Sequence, residues 1–392
     1  MFYELKRRGI RFMDVTVGIK VLICPDEVQK NLFHQNFGCC RKVHNVLLSK
    51  YNDMHEKDNT ITPTYTFLNK LLNKTKKELS YLYDVDSTSL QQAAKDLATS
   101  FSNFFKNPKH FNPPIFHSKR KTRPSFRQTI PINKKIIKDN KLTLRKYGDI
   151  KFKTSKEYQE LLNKNDLKIN NITVTFDGLN YHAIINIETT KEEWELTENY
   201  LGCDINSNRN GWLVTSEGIK EHFNVDHENQ MIRKINRLMS RCKKGSRKWK
   251  KLHKRLLKWY HKRTNRLEDY TNKLVKNLVM DYDTIVFEKN YANIKILIGG
   301  EQNLIFPLSR FITKLKNKYL WHKPDAEGVV FVDGYNTSKK CHNCGFINEN
   351  LEVKTRNWIC PKCGTILDRD VNAAINILNL WFTGDSLRNT NK

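Results

Sequence analysis

Near the C-terminus the chain reads Cys341-His342-Asn343-Cys344, then Cys360-Pro361-Lys362-Cys363, then Asp368-Arg369-Asp370-Val371-Asn372-Ala373-Ala374, and this stretch decides the fold. Two Cys-x-x-Cys pairs at this spacing are typical of a tetrahedral zinc site. A glycine follows each pair, as expected where the turn needs a positive φ. Two disulfides are the alternative, but nothing else in the sequence supports an oxidising compartment. We therefore expect a structural Zn²⁺, bound by Cys341, Cys344, Cys360 and Cys363, that folds a ribbon and leaves no open position for chemistry.

The composition of the 392 residues indicates a polyanionic partner. Lysine and arginine outnumber aspartate and glutamate by 69 to 41, a net charge of +28. This excess is larger than solubility requires, so nucleic acid is the first choice and an anionic membrane surface the second. No apolar run is long enough to span a bilayer, and charges interrupt the N-terminal residues where a signal peptide would need an apolar segment.

The remaining cysteines favour a reducing compartment. Five lie outside the two pairs, and an odd, scattered set cannot pair completely. Each is expected to be buried and to serve only in packing. The protein is expected to be cytoplasmic and associated with the nucleoid. These cysteines are Cys24, Cys39, Cys40, Cys203 and Cys242.

The first half of the chain predicts a helical lobe inserted into a β-domain. Residues 14–24 are rich in β-branched side chains and predict a strand. Apolar residues at helical spacing follow as far as about residue 107, and Ser87 or Ser89 is expected to cap the third helix. Residues 129–190 predict short strands, with a turn at Asp177-Gly178. The first strand and this later set are expected to form one small domain.

Two segments carry dense positive charge. Residues 105–127 interleave lysine and arginine with phenylalanine, a pattern that suits phosphates and unpaired bases, although a solvated loop with a few buried phenylalanines explains it equally well. Between Arg233 and Arg266 sixteen lysines and arginines occur without an acid, on a predicted pair of helices that break at Gly245-Ser246. A solvated face is the usual explanation of a charge run, but an unrelieved run of one sign repels itself. A phosphate backbone is therefore the better interpretation.

Three acids are candidates for chemistry. Asp204 lies on a predicted buried strand, Glu288 ends another, and Asp370 begins the last helix. Acids that converge from separate elements can hold two Mg²⁺ ions about 3.5–4 Å apart. Asp368 and Asp333 are rivals for the third position, and each of them, like Asp204, could instead be a cap or turn residue.

Three further predictions concern the second half. The glycine-rich stretch 298–303 has the composition of a lid, residues 305–322 predict an amphipathic helix, and the tail from Thr383 is expected to be disordered.

With these motifs assembled, the chain resembles the TnpB family of transposon-encoded proteins, related to type V CRISPR effectors. Gly202-Cys203-Asp204 resembles the first RuvC-like motif of that family and Ile285-Val286-Phe287-Glu288 the second. Asp368 to Ala374 resembles the third and, with the zinc ribbon, is the most specific match. Further similarity lies in Phe37 to Arg41 with Asn45, Leu90 to Ala93, Phe104-Phe105, Pro114 to Phe126 and Thr337-Ser338.

The resemblance implies an α/β multidomain fold. Its parts are an RNase H-like RuvC nuclease domain with a zinc ribbon insertion, a split β-barrel wedge domain and a helical recognition lobe. The expected boundaries are 1–24 and 108–195 for the wedge domain, 25–107 for the lobe, 196–334 and 367–382 for the nuclease domain, 335–366 for the ribbon and 383–392 for a disordered tail.

The function that the resemblance implies is RNA-guided cleavage of double-stranded DNA beside a short transposon-adjacent motif. The partners are a guide RNA from the element's own end and the target DNA, with a monomeric protein. Asp204, Glu288 and Asp370 become the ligands of Mg²⁺ or Mn²⁺. A guided repressor with a weak site, a compact CRISPR effector and a DNA-strand transposase are the alternatives. Candidate nucleic-acid contacts are Gln91 and Gln92 (for the adjacent motif, unless they form a solvated helix face), Arg120, Lys121, Arg123, Arg127, Lys243, Lys244, Arg247 and Lys248.

Overall fold

A computed structural model describes residues 12–131, 136–164, 167–206, 211–289, 308–352 and 355–384. The predicted lid at 298–303 and the tail beyond Gly384 lie outside these residues. The chain forms two compact units. The N-terminal unit runs from Asp14 to Thr190, and the C-terminal unit contains the described residues from Lys191 onward. Within the described ranges, no helix is both long and apolar enough to cross a membrane.

The N-terminal unit is a seven-stranded sheet covered by helices. The first strand, β1, lies inside this sheet between β7 and β5, so the long helical insertion separates strands that are neighbours in space. All pairs with a recorded register in this sheet are antiparallel. The sheet order is β2-β6-β7-β1-β5-β4-β3, with β1 Phe12–Cys24, β2 Ser125–Thr129, β3 Ile137–Lys138, β4 Lys141–Leu144, β5 Gly148–Lys153, β6 Lys168–Phe176 and β7 Tyr181–Glu192.

Three helices, α1 Glu27–His55, α2 Tyr65–Glu78 and α3 Ser87–Lys106, follow β1, and a short helix, α4 Lys156–Leu162, follows β5. The prediction that Ser87 or Ser89 caps α3 is wrong. Asp86 is the N-cap, because its carboxylate accepts the backbone N–H of Ser89 at 2.9 Å and is fully buried there. Helices and sheet share one apolar core, in which Phe33 packs against the rings of Phe37, Phe126 and Tyr147.

The C-terminal unit is built on a mixed five-stranded sheet in the order β10-β9-β8-β11-β12. β8 pairs in parallel with β11, and β11 in parallel with β12, whereas β9 and β10 continue from β8 as antiparallel neighbours. The strands are β8 Tyr200–Ile205, β9 Leu213–Thr215, β10 Lys220–Glu221, β11 Thr284–Glu288 and β12 Gly328–Val332.

Among the described residues, four helices accompany this sheet: α5 Asp226–Ser240, α6 Arg247–Asp281, α7 Leu308–His322 and α8 Arg369–Thr383. The predicted break between the basic helices is confirmed, since Gly245 has a φ of +84° and the side chain of Ser246 caps α6. The prediction of a disordered tail from Thr383 is wrong at its start, because α8 includes Thr383 and ends at a left-handed Gly384. A two-stranded ribbon, β13 Asn357–Ile359 and β14 Ile366–Asp368, precedes α8.

Candidate functional site

Asp204 and Glu288 lie side by side at the carboxyl ends of two parallel strands. The register of β8 and β11 pairs Cys203 with Phe287, so the next residue of each strand is one of the two acids. The carboxyl ends of parallel strands are where open α/β sheets bind ligands. Adjacent parallel strands thus bring together two acids that are far apart in the sequence.

Asp370 reaches the same edge because α8 packs directly on β8. Gly202 permits this contact: a Cβ there would lie 2.1 Å from the carbonyl oxygen of Ala374 and 2.8 Å from the Cβ of Leu378. Ala373 and Ala374 are fully buried. Gly202, Ala373 and Ala374 therefore allow the backbone of α8 to contact the backbone of β8, two residues before Asp204.

The electrostatics of Asp204 report this convergence. Burial raises the pKa of its carboxyl to about 7, and the negative charges of Asp370 and Glu288 add to the rise. The amide of Asn206 and the charge of Arg369 oppose it. The three acids thus form one interacting cluster whose negative charge favours protonation of Asp204 when no cation is present.

Each of the three acids accepts a hydrogen bond from a different neighbour. Asn206 Nδ2 donates to Asp204 Oδ2 at 3.2 Å, and Thr337 Oγ1 donates to Glu288 Oε2 at 3.3 Å. Arg356 Nη1 lies 3.0 Å from each carboxylate oxygen of Asp370.

Gly334 packs against the side chain of Glu288: a Cβ on Gly334 would lie 2.7 Å from the Cγ and Cδ of Glu288. In this arrangement the oxygens of the three acids are not all within 4.8 Å of one another. Over the described ranges only the four cysteines bring their ligand atoms that close.

The two rival acids have structural partners. Asp368 is the N-cap of α8 and accepts the backbone N–H groups of Asp370 and Val371 at 3.0 and 3.1 Å. Its other oxygen pairs with Lys220 at 2.7 Å. Asp333 pairs with Lys289 at 2.6 Å near the surface. Asp368 therefore matches the alternative of a cap residue, whereas Asp333 forms an ion pair.

The four cysteines gather at one end of the ribbon. Cys341 Sγ lies 3.7 Å from Cys363 Sγ, and Cys344 Sγ lies 3.5 Å from Cys360 Sγ. These spacings suit four thiolates around one tetrahedral Zn²⁺ with bonds of about 2.3 Å.

The first knuckle (341–344) and the second knuckle (360–363) have the same backbone. Gly345 donates its N–H to the carbonyl of Cys341, and Gly364 to that of Cys360, each at 2.9 Å. The φ angles of +74° and +72° confirm that both positions need glycine.

The predicted nucleic-acid contacts have mixed surroundings. Gln91 and Gln92 are half-buried, and Gln92 Nε2 donates to Thr129 Oγ1 at 2.9 Å. Arg127 pairs with Asp96 at 3.2 Å. The remaining candidates are exposed: Arg120, Lys121, Arg123, Lys243, Lys244, Arg247 and Lys248.

The aromatic residues of the basic 105–127 segment divide in the same way. Phe126 is a core residue of β2, in agreement with the plainer explanation of this stretch. Phe111 and Phe116 are exposed. Among Phe111, Phe116 and Phe126, only the first two can offer a ring to a base.

Sequence reasoning missed Arg356 of the ribbon, which contacts Asp370, and Asn376 of α8, which donates to the carbonyl oxygens of Thr337 and Lys340. Arg356 lies in an unremarkable stretch between the knuckles, and the importance of Asn376 is visible only from its spacing, one helical turn after Asn372. A buried polar residue at i+4 from a motif asparagine is the signal that could have found it.

Family models match three parts of the chain. Residues 13–60 match a helix-turn-helix domain model, residues 183–293 a probable transposase model, and residues 309–377 a Cas12f1-like TNB domain model. The first matched region folds here as a strand followed by a 29-residue helix rather than as a helix-turn-helix.

Curated relatives match over most of the chain. A protein of Streptomyces pristinaespiralis named "Putative RNA-guided DNA endonuclease" is 28% identical over 92% of this chain and 88% of its own length. InsQ of Escherichia coli K12, which carries the same description, is 27% identical over 92% and 91%. A mimivirus TnpB-like protein, L79, is 31% identical over 43% of this chain and 32% of its own. Among solved structures, a Cas12f1–sgRNA–target DNA complex superposes with a TM-score of 0.48 at 14% identity, covering 95% of this chain and 99% of that chain.

Proposed function

The chain belongs to the TnpB family, and we propose that it is a transposon-encoded RNA-guided DNA endonuclease. The observation that carries this proposal is the meeting of Asp204, Glu288 and Asp370 at one edge of the mixed sheet. A protein that only binds nucleic acid has no need to gather three carboxylates there, because their mutual repulsion is unfavourable without a cation.

The mixed five-stranded sheet, with two acids on neighbouring parallel strands, supports a RuvC-like nuclease domain between 196 and 382, interrupted by the ribbon. The seven-stranded sheet is the proposed wedge domain, and α1 to α3 are the proposed recognition lobe. The domain boundaries given above remain predictions.

The acids fit a divalent metal by the chemistry of their donors. Three carboxylates offer only hard oxygen ligands, which suit Mg²⁺ or Mn²⁺, and water molecules can complete the coordination. When bound, a pair of such ions activates a water molecule and stabilises the leaving oxygen of a phosphodiester. Asp204, Glu288 and Asp370 would hold the ions.

Three neighbouring residues would prepare this site. Asn206 and Thr337 orient two of the carboxylates through their hydrogen bonds, and Gly334 leaves room for the side chain of Glu288. The four cysteines would hold a Zn²⁺ that shapes the ribbon.

The basic surfaces are proposed to hold RNA and DNA. The hairpin of α5 and α6 exposes Lys243, Lys244, Arg247 and Lys248 at its tip. Its own packing rests on a small apolar cluster around Ile235 and on Glu228, which is buried against Arg266. The contacts that stabilise the hairpin thus lie away from its tip, and the exposed cations of the tip are proposed to bind phosphates.

Base pairing with a guide would supply the sequence specificity, and the protein would read only a short adjacent motif. Gln91 and Gln92 are the proposed readers of that motif. Because Gln92 is held by Thr129, its amide is preoriented for a base edge. The protein would act in the cytoplasm at the nucleoid.

The experiment is a plasmid cleavage assay with protein purified together with RNA from its native downstream flank, with Mg²⁺ or EDTA. Mg²⁺-dependent, guide-directed double-strand cuts that disappear in Asp204→Ala would support the proposal. Asp333→Asn is the matched control, because Asp333 is a nearby acid with its own partner, and it should cut normally. Guided binding without cutting in any variant would favour the repressor instead.

A further inference from the structure

Two asparagines on successive turns of α8 fasten the ribbon to the helix that carries Asp370. Asn372 and Asn376 are almost completely buried. Asn372 Nδ2 donates to the carbonyl oxygens of Thr337 and Lys340 at 3.3 and 2.8 Å, and Asn376 Nδ2 donates to the same two oxygens at 2.8 and 2.6 Å. One short backbone segment thus accepts four hydrogen bonds from one face of the helix.

The fastened segment leads directly into the zinc site. Asn372 Oδ1 accepts the backbone N–H of His342 at 2.9 Å and lies 3.1 Å from its Nδ1. Cys341, the first of the four cysteines, stands between Lys340 and His342 and is completely buried. The asparagines therefore hold the backbone on both sides of one proposed zinc ligand.

The other end of the segment reaches the acids. Thr337, whose carbonyl both asparagines use, donates its hydroxyl to Glu288 at 3.3 Å. Asn372 lies two residues after Asp370 on the same helix. The backbone beside Cys341 is thus linked to Glu288 through the hydrogen bonds of the two asparagines and of Thr337. It is linked to Asp370 because both asparagines lie on α8, the helix that carries this acid.

The apolar core of the ribbon is small. Its apolar cluster consists of Leu351, Trp358 and Leu367 with two of the cysteines. A ribbon of this size depends on its metal for folding. If the ribbon unfolds, Thr337 and Lys340 leave their positions, and the buried amides of both asparagines lose their partners.

We propose that Asn372 and Asn376 are positioning residues that couple occupancy of the four-cysteine site to the metal affinity of the acid centre. The inference rests on the proposed function only in assigning divalent-metal binding to the acids. Zinc in the ribbon holds Thr337 and α8 in place, and loss of zinc lets Glu288 and Asp370 drift apart. The coupling is reciprocal, so occupancy of the acid centre should slow the release of zinc.

The test uses the full-length protein without RNA or DNA. Mn²⁺ binding is followed by electron paramagnetic resonance, and zinc release is followed with a chromogenic chelator. Asn376→Asp keeps the size of the side chain but replaces the donor by an acceptor that repels both carbonyls. We expect about tenfold weaker Mn²⁺ binding and about tenfold faster zinc release in this variant. Asn379→Asp, an exposed asparagine on the same helix, is the matched control and should change neither.

A second measurement covers the case in which Asn376→Asp fails to fold. Zinc is removed from the wild-type protein, and Mn²⁺ affinity should fall by about the same factor while the N-terminal unit remains folded. In Asn376→Ala the two metals should influence each other less than in the wild-type protein, because only Asn372 still donates to Thr337 and Lys340. Unchanged Mn²⁺ affinity after zinc removal, or undiminished coupling in Asn376→Ala, would overturn the proposal.

The two proposals can fail separately. Mn²⁺ binding that depends on zinc but supports no guided cleavage would leave the coupling intact and remove the nuclease function. If the wild-type protein binds no Mn²⁺, or if Asp204→Asn binds Mn²⁺ as well as the wild type does, both the nuclease function and the coupling would be overturned.

Discussion

Arg356 Nη1 lies 3.0 Å from both oxygens of the Asp370 carboxylate, so a cation from the ribbon contacts the acid that we propose as a metal ligand. The backbone strengthens this relationship, because Arg369 donates its N–H to the carbonyl of Arg356 at 2.7 Å. The guanidinium partly neutralises the acid cluster and competes with an incoming metal ion for the same oxygens.

Removing this charge should make metal binding easier. In Arg356→Ala we expect the Mg²⁺ concentration for half-maximal cleavage to fall about two- to fivefold, the range expected for a half-exposed ion pair. A magnesium titration of plasmid cleavage measures this. Arg356→Lys, which keeps the charge, should resemble the wild type, and a higher magnesium requirement in Arg356→Ala would contradict the competition.

The contact between α8 and β8 makes Gly202 intolerant of a side chain. In Gly202→Ala the new Cβ would meet the backbone oxygen of Ala374, so helix and strand must separate. We expect a loss of about 1–3 kcal/mol in the free energy of unfolding, measured in urea, together with loss of cleavage.

Gly38 offers a control for that substitution. It lies within α1, and a Cβ there meets nothing within 4 Å. Gly38→Ala should be neutral or stabilise by up to about 1 kcal/mol, because alanine favours the helix. Equal stability of Gly202→Ala and wild type would show that the contact is less tight than described.

The raised pKa of Asp204 predicts how stability depends on pH when no Mg²⁺ or Mn²⁺ is added. The folded state holds a proton on this carboxyl up to a pH of about 7, whereas the unfolded chain releases it near its ordinary pKa. The folded state binds more protons between these limits, so its stability falls as the pH rises through them and then levels off.

Asp204→Asn removes this dependence. The variant should exceed the wild type in stability at pH 8 by a few kcal/mol, since each pKa unit is worth about 1.4 kcal/mol, and much less at pH 5. Urea unfolding of both proteins at the two pH values measures the difference. A gap that does not change with pH would contradict the assignment.

The tip of the α5–α6 hairpin should contribute salt-dependent affinity. Replacing Lys243, Lys244, Arg247 and Lys248 by alanine should weaken RNA binding and reduce the slope of log affinity against log salt, by about 0.7 for each phosphate contact to single-stranded RNA that is lost. Filter binding at several salt concentrations measures the slope. Variants that exchange lysine and arginine at these positions keep the charge and should keep the slope.

Local signals in the sequence predicted much of the fold. The paired cysteines and following glycines indicated the ribbon, because a knuckle is a short-range structure. The strands that carry Asp204 and Glu288 were visible as buried runs, and the helix break at Gly245-Ser246 was visible from its turn residues.

Long-range contacts could not be predicted in this way. The register that places Asp204 beside Glu288 depends on two strands separated by the basic hairpin. The partners Arg356 and Asn376 become apparent only when the ribbon lies against α8. The predicted cap of α3 is wrong by one residue or more. Serine and aspartate are similarly good N-caps, and the sequence does not show that Asp86 is the buried one.

The order in which the acids occur along the chain has a consequence for protein synthesis. The strands β8 and β11, which carry Asp204 and Glu288, are synthesised before the ribbon. The helix α8, which carries Asp370, leaves the ribosome only after the ribbon. A nascent chain can therefore expose its basic hairpin to nucleic acid before it is able to cut. A chain truncated before residue 369 would likewise keep the proposed nucleic-acid-binding hairpin but lack Asp370.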